Sequence, residues 1–366
     1  MEGKRKLMVV DDSPLFRTWL IRSLSDDPRF EVIGYAVNAF DAQKKIPVLK
    51  PDILTLDIEM PGMSGIDFLK QLLPTHPIPV ILVSSLNLRV FDALEAGAVD
   101  FVRKPDEANG LSKEIFLSTL RSKLLVASSA HVHLPTQRPA STASRPAPVS
   151  QAEKPLPLLK APQPLSFSGA HSFRSTAEPV IAIGASTGGT EAILEVVRNF
   201  PADTPGVVIT QHMPAGFTAM YAERLNRICK MEVREAKNGD HIQRGLMLLA
   251  PGGFQMRVVP LGSSYAVSVQ EGDKVNGHRP SVDVLFDSVA NHVRDHAIGV
   301  LLTGMGADGA AGLLRMRKNG AYTIGQDKDS CVVYGMPMEA YKIGAVCQQC
   351  SLNTIGQTVL SRVRLL

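Results

Sequence analysis

Short apolar runs alternate with helix-like patterns along most of the chain. Before residue 125 the runs are KLMVV, EVIGYA, DILTLD, PVILVSS and DFVRKP, and after residue 177 they include PVIAIGA, GVVITQH, LMLLAP, AIGVLLTG and AYTIGQD. Between the runs, apolar residues recur at helical spacing, as at Ile193, Val196, Val197 and Phe200. Strands alternating with helices predict two doubly wound α/β domains with parallel sheets. The alternating stretch FQMRVVPLGSSYAVSVQ predicts an antiparallel hairpin appended to the second sheet.

A proline-rich stretch separates the two patterned regions. Eight prolines fall between His131 and Pro164, and Glu153 is the only acidic residue there. No apolar period survives in this stretch, so it cannot bury enough surface to offset the entropy of ordering. We therefore expect an amino-terminal domain at residues 5–124, a semi-extended linker at 125–177 and a second domain at 178–366.

Composition and charge argue against several classes of function. A net charge of +4 with no dense basic stripe argues against a nucleic-acid partner. The amino-terminal apolar run LMVV is too short for a signal peptide, and no later run has membrane-spanning length, so we expect a cytoplasmic protein without membrane insertion. Cys347 and Cys350 form a C-x-x-C pair, but no second ligand pair accompanies it, so we interpret both as incidental thiols.

Polar side chains follow the predicted strands of the first sheet. Asp11 and Asp12 come after LMVV, Asp57 comes after DILTL, and the next strands end at Ser84 and Lys104. The carboxyl ends of parallel strands share one edge, where ligands bind. Clustered carboxylates stay ionised beside a cation, most simply Mg²⁺. This set suits a metal-assisted phosphoryl transfer onto Asp57, whose new phosphoryl oxygens the hydroxyl and ammonium groups would bind.

Residues 5 to about 124 resemble a response-regulator receiver domain through VVDDS, LDIEMPGMSG and DFVRKP. The resemblance implies a flavodoxin-like fold, with Asp57 as phosphoacceptor and Asp11 and Asp12 as acids of a Mg²⁺ site. It also implies that the backbone carbonyl of Glu59 is a ligand of Mg²⁺ and that Ser84 is the switch hydroxyl. Phe101 would be the aromatic residue that reorients on activation, and Lys104 would contact the phosphate.

The second predicted sheet places different chemistry at its strand ends. Ser186 follows VIAIG, His212 follows GVVITQ, and Asp308 comes after AIGVLLTG. A hydroxyl, an imidazole and a carboxylate on one rim are the set that acyl transfer needs: serine attacks, histidine carries the proton and aspartate fixes the tautomer. Asp240 and Asp327 are rivals for the third role.

Two other interpretations of the glycine-flanked serine remain open at this point. Gly184, Ser186 and Gly188 match G-x-S-x-G, but the order Ser…His…Asp differs from that of α/β-hydrolases, and most serines between glycines are turn residues. GMGADG also spells a dinucleotide fingerprint, with Asp327 roughly twenty residues on. That match falls late in the second sheet and leaves Ser186 and His212 without a role.

Residues from about 179 to 364 resemble the catalytic domain of the CheB protein-glutamate methylesterases, through IGASTGGTEA, QHMP, APGG, RPSVDVLF, LLTGMGADGA and YGMP. The resemblance implies a Rossmann-like domain in which Ser186 is the nucleophile, His212 the general base and acid, and Asp308 the orienting carboxylate. Thr187 and Met305 would border the oxyanion site.

Together the two resemblances predict an esterase controlled by phosphorylation. It would hydrolyse glutamate γ-methyl esters on methyl-accepting chemoreceptors and also deamidate receptor glutamines. We expect Mg²⁺ only at the receiver and no cofactor for ester hydrolysis, a chemotaxis histidine kinase as phosphodonor, and a monomer. The alternative is a receiver joined to a non-enzymatic ligand- or nucleotide-binding module. A DNA-binding output is less favoured, because the second half has neither a short helix-turn-helix unit nor a basic face.

Overall fold

A computed structural model describes residues 3–85, 89–106, 112–128, 130 and 178–366 of the chain. Nearly all of the predicted linker at 125–177 lies outside these residues, so that prediction stays untested. Two parallel sheets, each with helices on both faces, organise the described chain. The α/β class is therefore confirmed.

The first sheet has five strands in the order β2-β1-β3-β4-β5. All neighbours pair in parallel. The order reverses at β1, so the carboxyl ends of β1 and β3 flank a crevice where ligands bind in such sheets. This arrangement confirms the flavodoxin-like prediction. The strands are β1 (Arg5–Val10), β2 (Phe30–Ala36), β3 (Ile53–Leu56), β4 (Val80–Ser84) and β5 (Asp100–Arg103).

Serine and asparagine caps begin most of the helices around the first sheet. The side chain of Ser13 accepts from the backbone N–H of Phe16, and Asn38, Ser64 and Ser112 cap their helices in the same way. The helices are α1 (Pro14–Ser25), α2 (Ala39–Leu49), α3 (Gly65–Leu72), α4 (Arg89–Glu95) and α5 (Lys113–Ala127).

The second sheet has seven parallel strands in the order β15-β14-β13-β6-β7-β10-β8. Its order reverses around β6. The two edge strands, β8 and β15, were not predicted, because their sequences EVRE and QQC are short and polar. The strands are β6 (Val180–Ala185), β7 (Val207–Gln211), β8 (Glu232–Glu235), β10 (Leu246–Leu249), β13 (Ala297–Leu301), β14 (Tyr322–Gln326) and β15 (Gln348–Cys350).

Six helices cover this sheet in the described chain: α6 (Gly189–Val197), α7 (Phe217–Ile228), α8 (Val282–His292), α9 (Ala310–Lys318), α10 (Met336–Lys342) and α11 (Leu352–Val363). Among the residues that the structure describes, no helix is both long and apolar enough to cross a bilayer.

The predicted hairpin is present but does not extend the second sheet. Strands β11 (Gln255–Leu261) and β12 (Ser264–Gln270) pair antiparallel, and β9 (His241–Ile242) joins them in a separate three-stranded sheet. The inner face of this sheet packs against α8, since Val258 and Leu285 share one hydrophobic cluster and the Val258 N–H donates to Ser288 Oγ at 2.8 Å. The hairpin therefore covers a helix, which satisfies its apolar face without pairing to the large sheet.

Candidate active site and receiver site

Strand register brings Ser186 and His212 together. Each residue directly follows its strand, β6 or β7, and the two strands pair so that Ala185 lies opposite Gln211. The His212 N–H donates to the Ala185 carbonyl at 3.1 Å. On the other side of β6, the Ser186 N–H donates to the Thr303 carbonyl at 3.0 Å, beyond β13. Ser186 therefore sits at the reversal point of the sheet, the usual location of a ligand site in such folds.

His212 is paired with Asp308. The distance from Nε2 to Asp308 Oδ2 is 2.7 Å, and the side chains are 7% and 1% exposed. Because a carboxylate only accepts, this contact places the ring proton on Nε2 and leaves Nδ1 as the acceptor. Nδ1 is buried and has no hydrogen-bond partner in the described part of the chain. A buried acceptor of this kind, beside a serine in register, is suited to take a hydroxyl proton.

Asp308 is held by the amino-terminal end of α8. Burial would raise the pKa of Asp308, but the His212 hydrogen bond and charge, with weaker bonds from Asn276 and Ser281, hold it well below its ordinary value. The carboxylate therefore stays ionised at any physiological pH. Its other donors, besides His212, are Asn276 Nδ2 at 2.7 Å, Ser281 Oγ at 2.8 Å, the Val282 N–H at 2.7 Å and the Asp283 N–H at 3.2 Å.

The rival aspartates are engaged elsewhere. Asp240 pairs with Arg234 at 3.0 Å, and Asp327 accepts from the hydroxyl and backbone N–H of Ser330. His212 Nε2 is paired with Asp308 and with neither rival. The third glycine of GMGADG, Gly309, packs against Val282 of α8 so tightly that a Cβ atom would clash. Packing therefore explains Gly304 and Gly309, and the positive φ of 83° explains Gly306, without a nucleotide.

Thr187 and Met305 flank the serine on two loops. Gly304 approaches Ser186 so closely that a Cβ atom on it would lie 2.7 Å from Ser186 Cβ, which keeps the loop before Met305 against the serine. The backbone N–H groups of Thr187 and Met305 donate to no acceptor among residues 3–85, 89–106, 112–128, 130 and 178–366. N–H groups without an acceptor, on the loops next to a serine, are the kind of donor that an oxyanion requires.

Sequence reasoning missed two residues of this site, His278 and Asn276. The His278 ring stacks on His212, with ring centroids 3.6 Å apart and planes 8° from parallel. Burial, helped by the charge of His212, lowers the pKa of His278 to about 4, so its ring is neutral at neutral pH. The Asn-Gly pair before His278 is the sequence feature that could have indicated both residues. Asn-Gly marks a tight reversal that could fold back over a neighbouring site.

At the first sheet, the predicted acids converge. Carboxylate oxygens of Asp11, Asp12 and Asp57 all lie within 4.8 Å of one another. The Lys104 ammonium lies 2.6 Å from Asp57 and 2.9 Å from Asp11. Burial raises the pKa of Asp57 against the opposing charge of Lys104. Three hard oxygen donors at this spacing fit a divalent cation such as Mg²⁺. Of Glu59, the structure shows its backbone N–H donating to Asp57 Oδ1 at 3.2 Å.

Ser84 and Phe101 lie in the neighbouring strands β4 and β5. Ser84 ends β4 beside the Lys104 backbone, whose N–H donates to the Ser84 carbonyl at 2.8 Å. Its hydroxyl is buried, and no described group bonds to it. Phe101 lies in β5 and is 4% exposed. Phe101 belongs to the strand that leads directly into Lys104.

Aromatic and charged residues join the two sheets into one compact unit. Phe101 packs on Phe217 of α7, with ring centroids 4.5 Å apart, and Phe91 of α4 stacks on Tyr221 at 5.5 Å. A continuous hydrophobic cluster includes all four rings. The face formed by α4 and β5 of the first sheet is therefore covered by α7 of the second.

Polar contacts cross the same boundary. Arg224 of α7, with a side chain only 6% exposed, pairs with Glu191 at 2.7 Å and with Glu95 of α4 at 3.1 Å. Nearer the active site, Thr187 Oγ1 donates to Asp100 Oδ2 at 2.7 Å, while Lys123 holds the other oxygen of Asp100 at 2.6 Å. The residue directly after Ser186 is thus bonded to the first strand position of β5.

Comparisons with known proteins match both halves. Residues 7–116 match the response regulator receiver domain model and residues 181–359 the CheB methylesterase model. The chain is 51% identical to protein-glutamate methylesterase/protein-glutamine glutaminase 2 of Syntrophomonas wolfei, covering 97% of this chain and 96% of that protein. It is 46% identical to the protein of the same description from Agrobacterium fabrum, with coverages of 98% and 97%.

Among solved structures, the catalytic domain of Thermotoga maritima CheB methylesterase is similar over the second half. The TM-score is 0.50 at 32% identity, covering 52% of this chain and 99% of that one. The similarity to known proteins therefore extends over nearly the whole length of the chain.

Proposed function

The chain belongs to the CheB family of protein-glutamate methylesterases, with a response-regulator receiver domain ahead of the catalytic domain, and on this premise we propose how it works. We propose that it hydrolyses glutamate γ-methyl esters on methyl-accepting chemoreceptors, using Ser186, His212 and Asp308. The observation that carries the proposal is the buried His212–Asp308 pair at 2.7 Å, beside a serine in strand register. The proposed domains are a receiver at 5–124 and a catalytic domain at 178–366.

The first half-reaction forms an acyl-enzyme. Nδ1 of His212 takes the Ser186 proton as Oγ attacks the ester carbonyl, and Asp308 stabilises the imidazolium that results. The backbone N–H groups of Thr187 and Met305 would hold the oxyanion of the tetrahedral intermediate. When that intermediate collapses, the ring returns its proton to the departing methoxide and methanol leaves.

Water completes the turnover. It attacks the acyl-serine while His212 again accepts and returns the proton, giving free glutamate and regenerated Ser186. The same residues would deamidate a receptor glutamine, with ammonia in place of methanol. That reaction is harder, because the nitrogen must be protonated as it departs. Ester and amide hydrolysis then share one site and differ in the leaving group.

At the receiver we propose Asp57 as the phosphoacceptor, with a chemotaxis histidine kinase as donor. Asp11, Asp12, Asp57 and the backbone carbonyl of Glu59 would hold Mg²⁺, which neutralises phosphoryl charge when bound. Lys104 already touches Asp57 and would bind a phosphoryl oxygen there. The Ser84 hydroxyl, to which no described group bonds, would bind another and draw β4 and β5 closer to the modified residue.

We propose that the unphosphorylated receiver inhibits the esterase. The Asp100 carboxylate accepts a hydrogen bond from the Thr187 hydroxyl next to the nucleophile. A receiver held at this position would obstruct a bulky receptor helix. Strand β5 carries Asp100 at one end and leads into Lys104 at the other, a span of about 13 Å at ~3.3 Å per residue. Binding of phosphate at Lys104 and Ser84 would shift β5 and Phe101, loosening the contacts with Thr187 and Phe217.

Methanol release from methylated receptors, with and without a small phosphodonor, tests the whole proposal. We expect release that depends on Ser186 and rises with the phosphodonor. A serine-reactive fluorophosphonate probe separates this from a non-enzymatic output module, since a binding module has no activated serine. Failure of both labelling and methanol release would refute the esterase assignment.

A further inference from the structure

Asn276 bridges two carboxylates behind the catalytic histidine. Its side-chain Nδ2 lies 2.7 Å from Asp308 Oδ1 and 2.7 Å from Asp283 Oδ2. An amide NH₂ group carries two hydrogens, so it donates one to each carboxylate. The Asp308 oxygen that it binds is the one that does not touch His212 Nε2. The amide thus fixes the far side of the carboxylate whose near side orients the catalytic ring.

The local sequence explains how an exposed turn reaches this position. Asn276 and Gly277 have φ values of 54° and 83°, and Val275 and His278 exchange backbone hydrogen bonds of 3.0 and 2.9 Å. This is a two-residue reversal of the kind that favours Asn-Gly, because both central residues have positive φ. One tight turn therefore places the Asn276 amide on Asp308 and the His278 ring on His212.

The Asn276 amide lies between two carboxylates that repel each other. Asp283 and Asp308 both lie at the amino-terminal end of α8, and burial, with a contribution from the Asp308 charge, raises the pKa of Asp283. Like charges in such proximity disfavour each other unless donors lie between them. The Gly312 N–H supplies one donor to Asp283 at 2.6 Å, and Asn276 is the donor that Asp283 and Asp308 share.

We propose that Asn276 is a positioning residue for the esterase reaction, acting through Asp308. By holding Oδ1 it keeps Oδ2 directed at His212 Nε2 and preserves the tautomer in which Nδ1 accepts the serine proton. This inference rests on the proposed function, and it adds a role outside the triad and its oxyanion donors. Asn276 itself does not need to touch the substrate.

The central experiment replaces Asn276 by aspartate in the full-length protein and measures methanol release with a phosphodonor present. Aspartate has nearly the same shape and tolerates positive φ, but its carboxylate accepts where the amide donated. We expect kcat to fall about tenfold to a hundredfold with little change in KM, since a misplaced catalytic group costs this much. The acid limb of the kcat/KM pH profile should move to higher pH, because an added anion favours the imidazolium.

Other ionisable groups that face the pair must be considered in that profile. They are His278 stacked on the ring, Asp283 beside Asp308, and the more distant charges of Lys123 on α5 and Lys274 before the turn. None of these residues is substituted in the Asn276→Asp variant. A shift of the acid limb relative to the parent protein therefore reports the new charge at position 276.

Two further variants separate positioning from turn stability. Asn276→Gly keeps a backbone that accepts positive φ but removes the amide, and should also lower kcat. Gly277→Asn keeps the Asn276 amide but places a side chain at the neighbouring turn position, whose φ is 83° and where a Cβ atom would meet nothing within 4 Å; it reports turn strain alone and should leave the acid limb of the pH profile at the parent value.

The proposal is overturned if Asn276→Asp and Asn276→Gly both retain kcat within about twofold of the parent. It is also overturned if all three variants lose the same activity with an unmoved acid limb, since that pattern indicates turn stability alone. Thermal unfolding verifies that each variant is folded. If Ser186→Ala retained methanol release, the proposed esterase chemistry itself would fail, which is a distinguishable result.

Discussion

Thr187, the neighbour of the proposed nucleophile, donates its hydroxyl proton to the receiver residue Asp100 over 2.7 Å. Both side chains are buried, and Lys123 holds the second oxygen of Asp100. The receiver therefore reaches the loop that carries one of the two proposed oxyanion donors. Inhibition by this contact would combine blocked access with a fixed conformation of the nucleophile loop.

Replacing Asp100 by asparagine should raise methanol release without a phosphodonor. The change removes the anion that Lys123 pairs with and weakens a charge-assisted hydrogen bond, worth about 1.5–3 kcal/mol. A loss of this size favours the undocked state by roughly tenfold or more. Asp92→Asn, at an exposed position on α4, is the matched control and should leave basal activity unchanged. Unchanged basal activity in Asp100→Asn would mean that this bond does not restrain the catalytic domain.

Ser186→Ala should abolish methanol release while the protein remains folded. Triad members act as a unit, so the loss should be on the order of a thousandfold or more. Ser263→Ala, at the exposed hairpin turn, serves as control. Near-normal turnover in purified Ser186→Ala, measured on methylated receptor, would place the nucleophile elsewhere.

Asp308→Asn should keep the fold but reduce turnover steeply at neutral pH, because an amide favours the wrong histidine tautomer. Asp240→Asn and Asp327→Asn should have little effect, since these residues bond to Arg234 and Ser330 and not to His212. Turnover assays of the three variants in parallel decide the assignment. Damage by either control, with Asp308→Asn active, would show that the third catalytic residue is misassigned.

Deleting residues 1 to about 175 should raise basal esterase activity above that of the intact protein, because the receiver contacts at Thr187, Phe217 and Tyr221 are lost. Asp57→Asn should abolish activation of the intact protein by a small phosphodonor. Both are measured as methanol release. If the truncated protein were no faster than the unphosphorylated whole, phosphorylation would have to act by creating a productive surface.

Stability should fall as the pH drops from about 6.5 to about 4, in part through His278. Its pKa is lowered from 6.5 to about 4 in the folded protein, mainly by burial. Within this window the unfolded chain binds a proton that the folded chain does not, so acid favours unfolding, by on the order of 2 kcal/mol. His278→Gln should flatten this part of the pH dependence in thermal unfolding. An unaltered slope in the variant would show that His278 titrates normally.

The sequence was informative where chemistry directly follows an apolar strand. Ser186 and His212 are the first residues after β6 and β7, and parallel pairing makes their proximity predictable. The edge strand β8 was missed because half-exposed edges contain polar residues. The Asn276 contact was missed because it depends on a turn folding back over the site, which strand periodicity does not report. The position of the hairpin over α8 was likewise decided by tertiary packing.

Docking between the halves was the least predictable feature. Asp100 looks like an ordinary strand-end residue in the sequence, and only the folded surfaces show that it meets Thr187. The sequence predicts an esterase controlled by phosphorylation but not where the receiver lies on the catalytic domain. The contacts that hold it there, at Phe101 with Phe217 and Glu95 with Arg224, depend on the shapes of two separately folded faces.

The aromatic pairs across that boundary also constrain how such proteins diversify. Phe91 and Tyr221, like Phe101 and Phe217, lie on opposite sides of the seam and pack ring to ring. Because each ring fills the space beside its partner, we expect a substitution on one side to require a compensating change on the other, so these pairs should co-vary among relatives. A receiver grafted from an unrelated regulator would keep its phosphorylation chemistry yet lack the matching rings. The esterase of such a chimaera would not be regulated by its receiver. The two domains should therefore be inherited together.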